Sequence, residues 1–280
     1  MDKGIIVHGW DVSLNHAAFV QLTDGVMTDF WYITSVVGSA NKSKEHGTRL
    51  PISKSKERQT KQMSRLAWLE HFIDKKILMP NQPNYVGLED YAIRAEQGAH
   101  YLGEIGGIAR ILCWFRGVNL RLHDPISTKM FTTHDGTAQK DSVERAVNSR
   151  WGHDFSEYNP PKGNPTKSNP DPKQNRTTSE DLADAYALAQ MVWTEVQLRH
   201  GEVLLKDMHP KEVQVFNRVT KTYPISLLDR EWISNPDGGV ATPHGEPVCP
   251  ECGSRRCCLA GDYDDEKKRL LKSRIKKWKG

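Results

Sequence analysis

Apolar and polar positions alternate in some stretches of this chain and fall on helical spacing in others. Residues 4–10, GIIVHGW, form an apolar run of strand length. AAFVQL at 17–22 and MTDFWYIT at 27–34 give two more strands, joined by turn residues around Asp24-Gly25. The chain therefore opens on a three-strand meander. Residues 35–54 are rich in Ser, Lys and Gly and read as a loop. Over 56–78, Met63, Leu66, Leu69, Phe72 and Ile73 fall on one face of a helix. Pro80 and Pro83 then break the chain before a fourth strand at 84–89. A second helix is expected over 95–116, although Gly103, Gly106 and Gly107 each weaken it by up to about 1 kcal/mol relative to Ala. Close packing against a neighbouring helix or a second subunit would offset that. A fifth strand, 118–124, ends at Pro125; 126–139 reads as loop and 141–152 as helix. A long helix over 179–199 follows, with Thr177 and Glu180 spaced as a capping box. Beyond it only a short helix near 210–219 stands out before residue 248.

Strands interleaved with helices predict an α/β domain with a mixed five-stranded sheet flanked by helices. Residues 153–176 hold five prolines among Asn and Lys with no apolar period, and are expected to be a flexible insertion. The division expected is a domain over 1–200, a helical extension over 201–248 and a small cysteine-bearing, basic segment over 249–280. Apolar content is 37%, below the usual globular range, which fits a packed core with polar appendages. No run of about 18 apolar residues is present, so no membrane partner is expected. MDKGIIVHGWD enters the first strand without the apolar stretch of a signal peptide, which predicts a cytoplasmic protein.

Four carboxylates carry the chemistry. Asp11 and Glu89 close apolar runs, and Asp181 and Asp184 lie three residues apart on one helix face. Taken singly, an acid at a strand end is usually a turn or cap residue, and a D-x-x-D helix is usually a solvated face. Together they place acids at one sheet edge, where ligands of α/β folds bind. Such a set can gather two divalent cations for phosphodiester cleavage. Net charge is only +4, but residues 267–279 carry eight Lys or Arg and no acid, as suits a phosphate backbone.

There are five cysteines. Cys113, in IARILCWF, reads as a small buried hydrophobe. Cys249, Cys252, Cys257 and Cys258 cluster in CPECGSRRCC, which without a secretory signal argues for structural zinc rather than disulfides. The adjacent Cys257-Cys258 departs from a second C-x-x-C, so His244 is an alternative ligand. A surface thiol cluster is the competing explanation.

The element order, with acids on strands one and four and on a later helix, resembles the ribonuclease H-like layout. More narrowly, GWDVSLNHAAFVQL, VGLEDYA, YLGEIGGIARIL, PISTKMFTTHDGTAQK and EDLADAYALA resemble the RuvC family of Holliday junction resolvases, especially its phage-type members. The resemblance covers 4–150 and 177–195. It implies a structure-selective endonuclease with two Mg²⁺ or Mn²⁺ ions held by Asp11, Glu89, Asp181 and Asp184. Asp11 would bridge both ions, and a water would attack in line to leave a 5′-phosphate and a 3′-hydroxyl. Lys129 and Lys140 match a family loop whose two lysines approach DNA near the scissile phosphate. The resemblance also implies branched DNA as partner, a homodimer, and work in the cytoplasm of a bacterial host for a phage-encoded enzyme. Tyr91 is placed to stack on a base exposed at a branch point; packing at the strand end is its alternative. The cysteine knuckle is similar to the ribbon of transposon-encoded relatives, but there it precedes the last acid and here it follows all four. Two further functions stay open: a flap- or fork-cleaving endonuclease with the same site, and a non-catalytic DNA-binding adaptor. The four acids argue against the latter.

Overall fold

A computed structural model describes residues 4–13, 16–34, 46–49, 56–90, 99–159 and 178–235. The strands are β1 (Ile6–Val12), β2 (His16–Thr23), β3 (Val26–Thr34), β4 (Gly47–Arg49), β5 (Tyr85–Glu89) and β6 (Asn119–His123). They form one mixed sheet in the order β4-β3-β2-β1-β5-β6. The meander is antiparallel, while β5 runs parallel to β1 and β6 parallel to β5. Among the described residues the sheet therefore has six strands rather than the expected five. The added edge strand, β4, is three residues paired to the end of β3 inside the stretch expected to be loop. So short a strand leaves no readable alternation.

Both faces of the sheet are covered, which is why its central strands read as nearly continuous apolar runs. On one face, Trp10, Phe19, Val86 and Leu88 pack with Leu66, Leu69 and Phe72 of α1 (Arg58–Phe72) and Ile105, Ala109 and Leu112 of α2 (Ala99–Arg116). Cys113 is buried there, as expected. The expected face of α1 is displaced at its start: Met63 is 62% exposed, because the helix meets the sheet only from Leu66 onward. On the other face, Val7, Ala18, Val20 and Leu22 pack with Val143 and Val147 of α4 (Lys140–Trp151) and Leu182, Ala185 and Ala189 of α5 (Thr178–His200).

Two glycines set how closely α5 approaches. A Cβ at Gly9 would lie 2.0 Å from the Ala185 carbonyl oxygen, and one at Gly87 would lie 2.7 Å from Val192 Cγ2. With no side chain at either position, α5 rests directly on β1 and β5. Its N-terminal turns consequently lie over the ends of those strands.

Two more stretches differ from expectation. Pro125–Thr133 is a helix, α3, not a loop. Asp124 caps it by accepting from the Ser127 amide at 3.0 Å, and Pro125 takes the first helical position, where its missing N–H has no cost. The beginning of the expected insertion is packed: Phe155 is buried, and Tyr158 meets the Phe30 ring at 5.0 Å. Residues 160–176, Thr177 of the capping box, Tyr91, His244, the four clustered cysteines and the basic tail lie outside the described residues.

After α6 (Pro210–Phe216), residues 217–235 run back across the sheet end as a strap. Leu120 and Ile233 exchange both backbone hydrogen bonds, at 2.8 and 3.1 Å. Beneath the strap, Arg121 of β6 donates to both carboxylate oxygens of Glu195, at 3.0 and 2.5 Å, and to the carbonyls of Glu231 and Arg230. Its guanidinium also stacks 4.4 Å from the Trp232 ring centre.

Candidate active site

Side-chain alternation explains how the first two acids meet. In β1, Trp10 faces the α1/α2 layer, so Asp11 faces α5. In β5, Leu88 faces the α1/α2 layer and Glu89 faces α5. The parallel register pairs Trp10 with Leu88, which sets Asp11 beside Glu89 on neighbouring strands about 4.8 Å apart. The helix seated on Gly9 and Gly87 brings Asp181 and Asp184 to the same edge.

Asp11, Glu89 and Asp184 line one cleft of about 230 Å³, together with Val12, Ser13, Gly106, Pro125, Thr128, Lys129 and Lys140. Asp181, 4% exposed, is not part of the cleft wall. It lies behind Lys140, whose Nζ is 3.0 Å from Asp184 Oδ2 and 3.9 Å from Asp181 Oδ1. One ammonium thus stands between the two acids of the helix pair. Lys140 is the first residue of α4, and Lys129 comes from the middle of α3. Both helices lie along α5 on the same face of the sheet.

The cleft therefore collects three of the four predicted acids and both predicted lysines from five different elements. Among the described residues, no three His, Cys, Asp or Glu side chains draw together as a ready-made metal cage. The donor chemistry still suits a hard cation. Mg²⁺ takes one or two carboxylates directly and keeps several of its waters, and the carboxylates of Asp11, Glu89 and Asp184 are donors of that kind.

Several residues at the site are not singled out by the motifs. Thr128 and Ser13 add hydroxyls to the cleft wall. Asp90, next to Glu89, takes a hydrogen bond from Arg110 Nη2 at 2.7 Å and another from the Tyr223 hydroxyl. Burial, reinforced by that carboxylate, pushes the Tyr223 hydroxyl well above its ordinary pKa, so it remains a donor. Asp124, the α3 cap, is paired with Arg218 at 3.1 Å. The Asp-Pro pair at 124–125 was the one sequence signal for α3; nothing local announces Tyr223 or Arg218. His123, opposite Glu89 in the β5–β6 register, is buried. Burial first, and then the charges of Arg121 and Arg230, pull its pKa down to about 3, so the ring is neutral.

No helix of the described residues is long and apolar enough to cross a membrane. No protein-family model matches the chain, and no curated protein matches it. Among solved structures, the chain is similar to Thermus thermophilus RuvC, with a TM-score of 0.42 and 16% identity over 70% of this chain and 97% of that one. It is also similar to T. thermophilus RuvC in complex with Holliday junction substrate, with a TM-score of 0.43 and 16% identity over 70% of this chain and 96% of that one.

Proposed function

We propose that this chain is a divalent-metal-dependent endonuclease that resolves four-way DNA junctions. The observation that supports this most is the meeting of Asp11, Glu89 and Asp184 with Lys129 and Lys140 in one open cleft. The acids supply hard oxygen donors, with Asp181 behind them as a fourth. Bound divalent cations would supply Lewis acidity and a water of lowered pKa. Lys129 and Lys140 are point charges that hold a phosphate in place and read no bases. The cleft is open, and its chemistry suits a backbone rather than a small apolar ligand.

A homodimer belongs to this proposal, because a four-way junction offers two symmetric strands to cut. The helix α2 carries surface Ile111 and Trp114, and a Cβ at Gly107 would meet nothing within 4 Å among the described residues. We propose that face as the one a second copy would pack against. Tyr91 is proposed to stack on a base at the branch point, and the basic tail to add sequence-independent affinity. Cleavage of four-way, flap and linear duplex substrates side by side tests the proposal. Preference for the four-way junction is expected; equal or better flap cleavage would make this a flap or fork nuclease with the same site.

Lys140 should matter more to chemistry than to binding. Lys140→Ala removes the ammonium nearest Asp184 and is expected to slow cleavage on the order of 100-fold. Binding should weaken by less than about tenfold, as for one lost phosphate contact among many. Equal, small losses in both would reduce Lys140 to a generic backbone contact.

The Cys249, Cys252, Cys257, Cys258 knuckle is proposed to hold one structural Zn²⁺, with His244 as alternative ligand. Protein purified without chelator should carry about one zinc per chain. A folded, zinc-free protein with free thiols would contradict this.

A further inference from the structure

We infer that the strap 217–233 positions the mouth of the cleft, with Tyr223 acting on Glu89 through Asp90; this rests on the proposed metal site. Glu89 is the last residue of β5, and Asp90 follows it where the strand leaves the sheet. Asp90 is tied down three ways. Its amide donates to the His123 carbonyl at 2.7 Å, Arg110 holds Oδ1, and the Tyr223 hydroxyl holds Oδ2. Two of these anchors come from β6 and α2, but the third comes from a segment more than 130 residues away in sequence.

Tyr223 is itself fixed. Its carbonyl accepts from the Thr220 amide at 2.7 Å, its amide donates to Thr220 Oγ1 at 3.0 Å, and Arg230 lies 4.2 Å over its ring. The same strap holds a second wall of the cleft. Arg218 pairs with Asp124, and Asp124 caps the helix that presents Thr128 and Lys129. One segment thus clamps the exit of β5 and the entry of α3, the two elements that bring Glu89 and Lys129 to the cleft. A carboxylate that must meet a cation within a few tenths of an ångström needs such support behind it. Tyr223 touches none of the reacting groups and is a positioning residue.

The test is a titration of the full-length protein with Mn²⁺ alone, read by electron paramagnetic resonance, so that no turnover is needed. Tyr223→Phe removes one hydroxyl and keeps the ring. Metal-free Tyr223→Phe should melt within about 4 °C of the parent, as for one lost hydrogen bond. Its Mn²⁺ affinity should fall about tenfold. In an Asp90→Ala background the same change should cost little further, because its route to Glu89 is already cut. Unchanged Mn²⁺ affinity in Tyr223→Phe would overturn the inference, as would an undiminished loss in the Asp90→Ala background. A parent protein that binds no Mn²⁺ would instead overturn the metal site on which the inference rests.

Discussion

Asp11→Asn and Glu89→Gln will each abolish junction cleavage while leaving junction binding nearly intact. Both substitutions keep the side-chain volume and remove one negative charge from the cleft. Metal stabilisation of the phosphodiester transition state is worth several kcal/mol. At 1.36 kcal/mol per factor of ten, the expected fall in rate is on the order of 10³-fold or more. In this proposal binding would draw on a separate source, the lysines at the cleft and the eight basic residues of 267–279, none of which is altered. Gel-shift affinity in Ca²⁺ and single-turnover rates in Mg²⁺ separate the two quantities. Parent-like turnover in either mutant would remove that acid from the metal site.

The second large effect is on stability. Arg121 and Glu195 form an ion pair that is 3% and 0% exposed, and Arg199 approaches the same carboxylate at 2.8 Å. Burial pushes the Glu195 carboxyl up in spite of its two arginines, so it depends on them to stay charged. Arg121→Met leaves a buried carboxylate with one partner and removes the donor to the Glu231 carbonyl, while the Arg230 carbonyl keeps its bond from Arg199 at 2.7 Å. Breaking such a pair costs about 3–5 kcal/mol, and Arg199 places the expectation near the lower end. The melting temperature should fall by roughly 6–12 °C. Adding Glu195→Met should recover part of the loss, because an apolar pair of similar volume is tolerated where half an ion pair is not. Denaturant midpoints of the two single mutants and the double mutant measure this. A loss under about 1 kcal/mol for Arg121→Met would mean that water or Arg199 already satisfies Glu195.

The strands bearing Asp11 and Glu89 were legible because each is a short apolar run with an acid at its end, and a sheet buried on both faces leaves that signature. The helix bearing Asp181 and Asp184 was legible from its length. What brings it onto the sheet, Gly9 and Gly87, is a matter of tertiary contact that no local pattern reports. The helix α3 was missed because Ser127, Thr128, Thr132 and Thr133 are weak helix formers. Its stability comes from the Asp124 cap and from burying Phe131. The strap was illegible for a different reason. It has almost no regular structure, and its hold on the sheet comes from long-range bonds such as Tyr223 to Asp90 and Arg121 to the Glu231 carbonyl. Such bonds leave no period in the sequence.

Metal-dependent hydrolysis at the cleft of Asp11, Glu89 and Asp184 can be measured directly. Its most direct measurement is cleavage of an end-labelled four-way junction by the parent protein in Mg²⁺, in Mn²⁺ and in EDTA, with DNA ligase added to the products. The expected result is paired nicks in strands of like polarity, formed only with a divalent cation and resealed by ligase because they carry a 5′-phosphate and a 3′-hydroxyl. Cleavage that persists in EDTA, or intact junction after prolonged incubation with either metal, would contradict it.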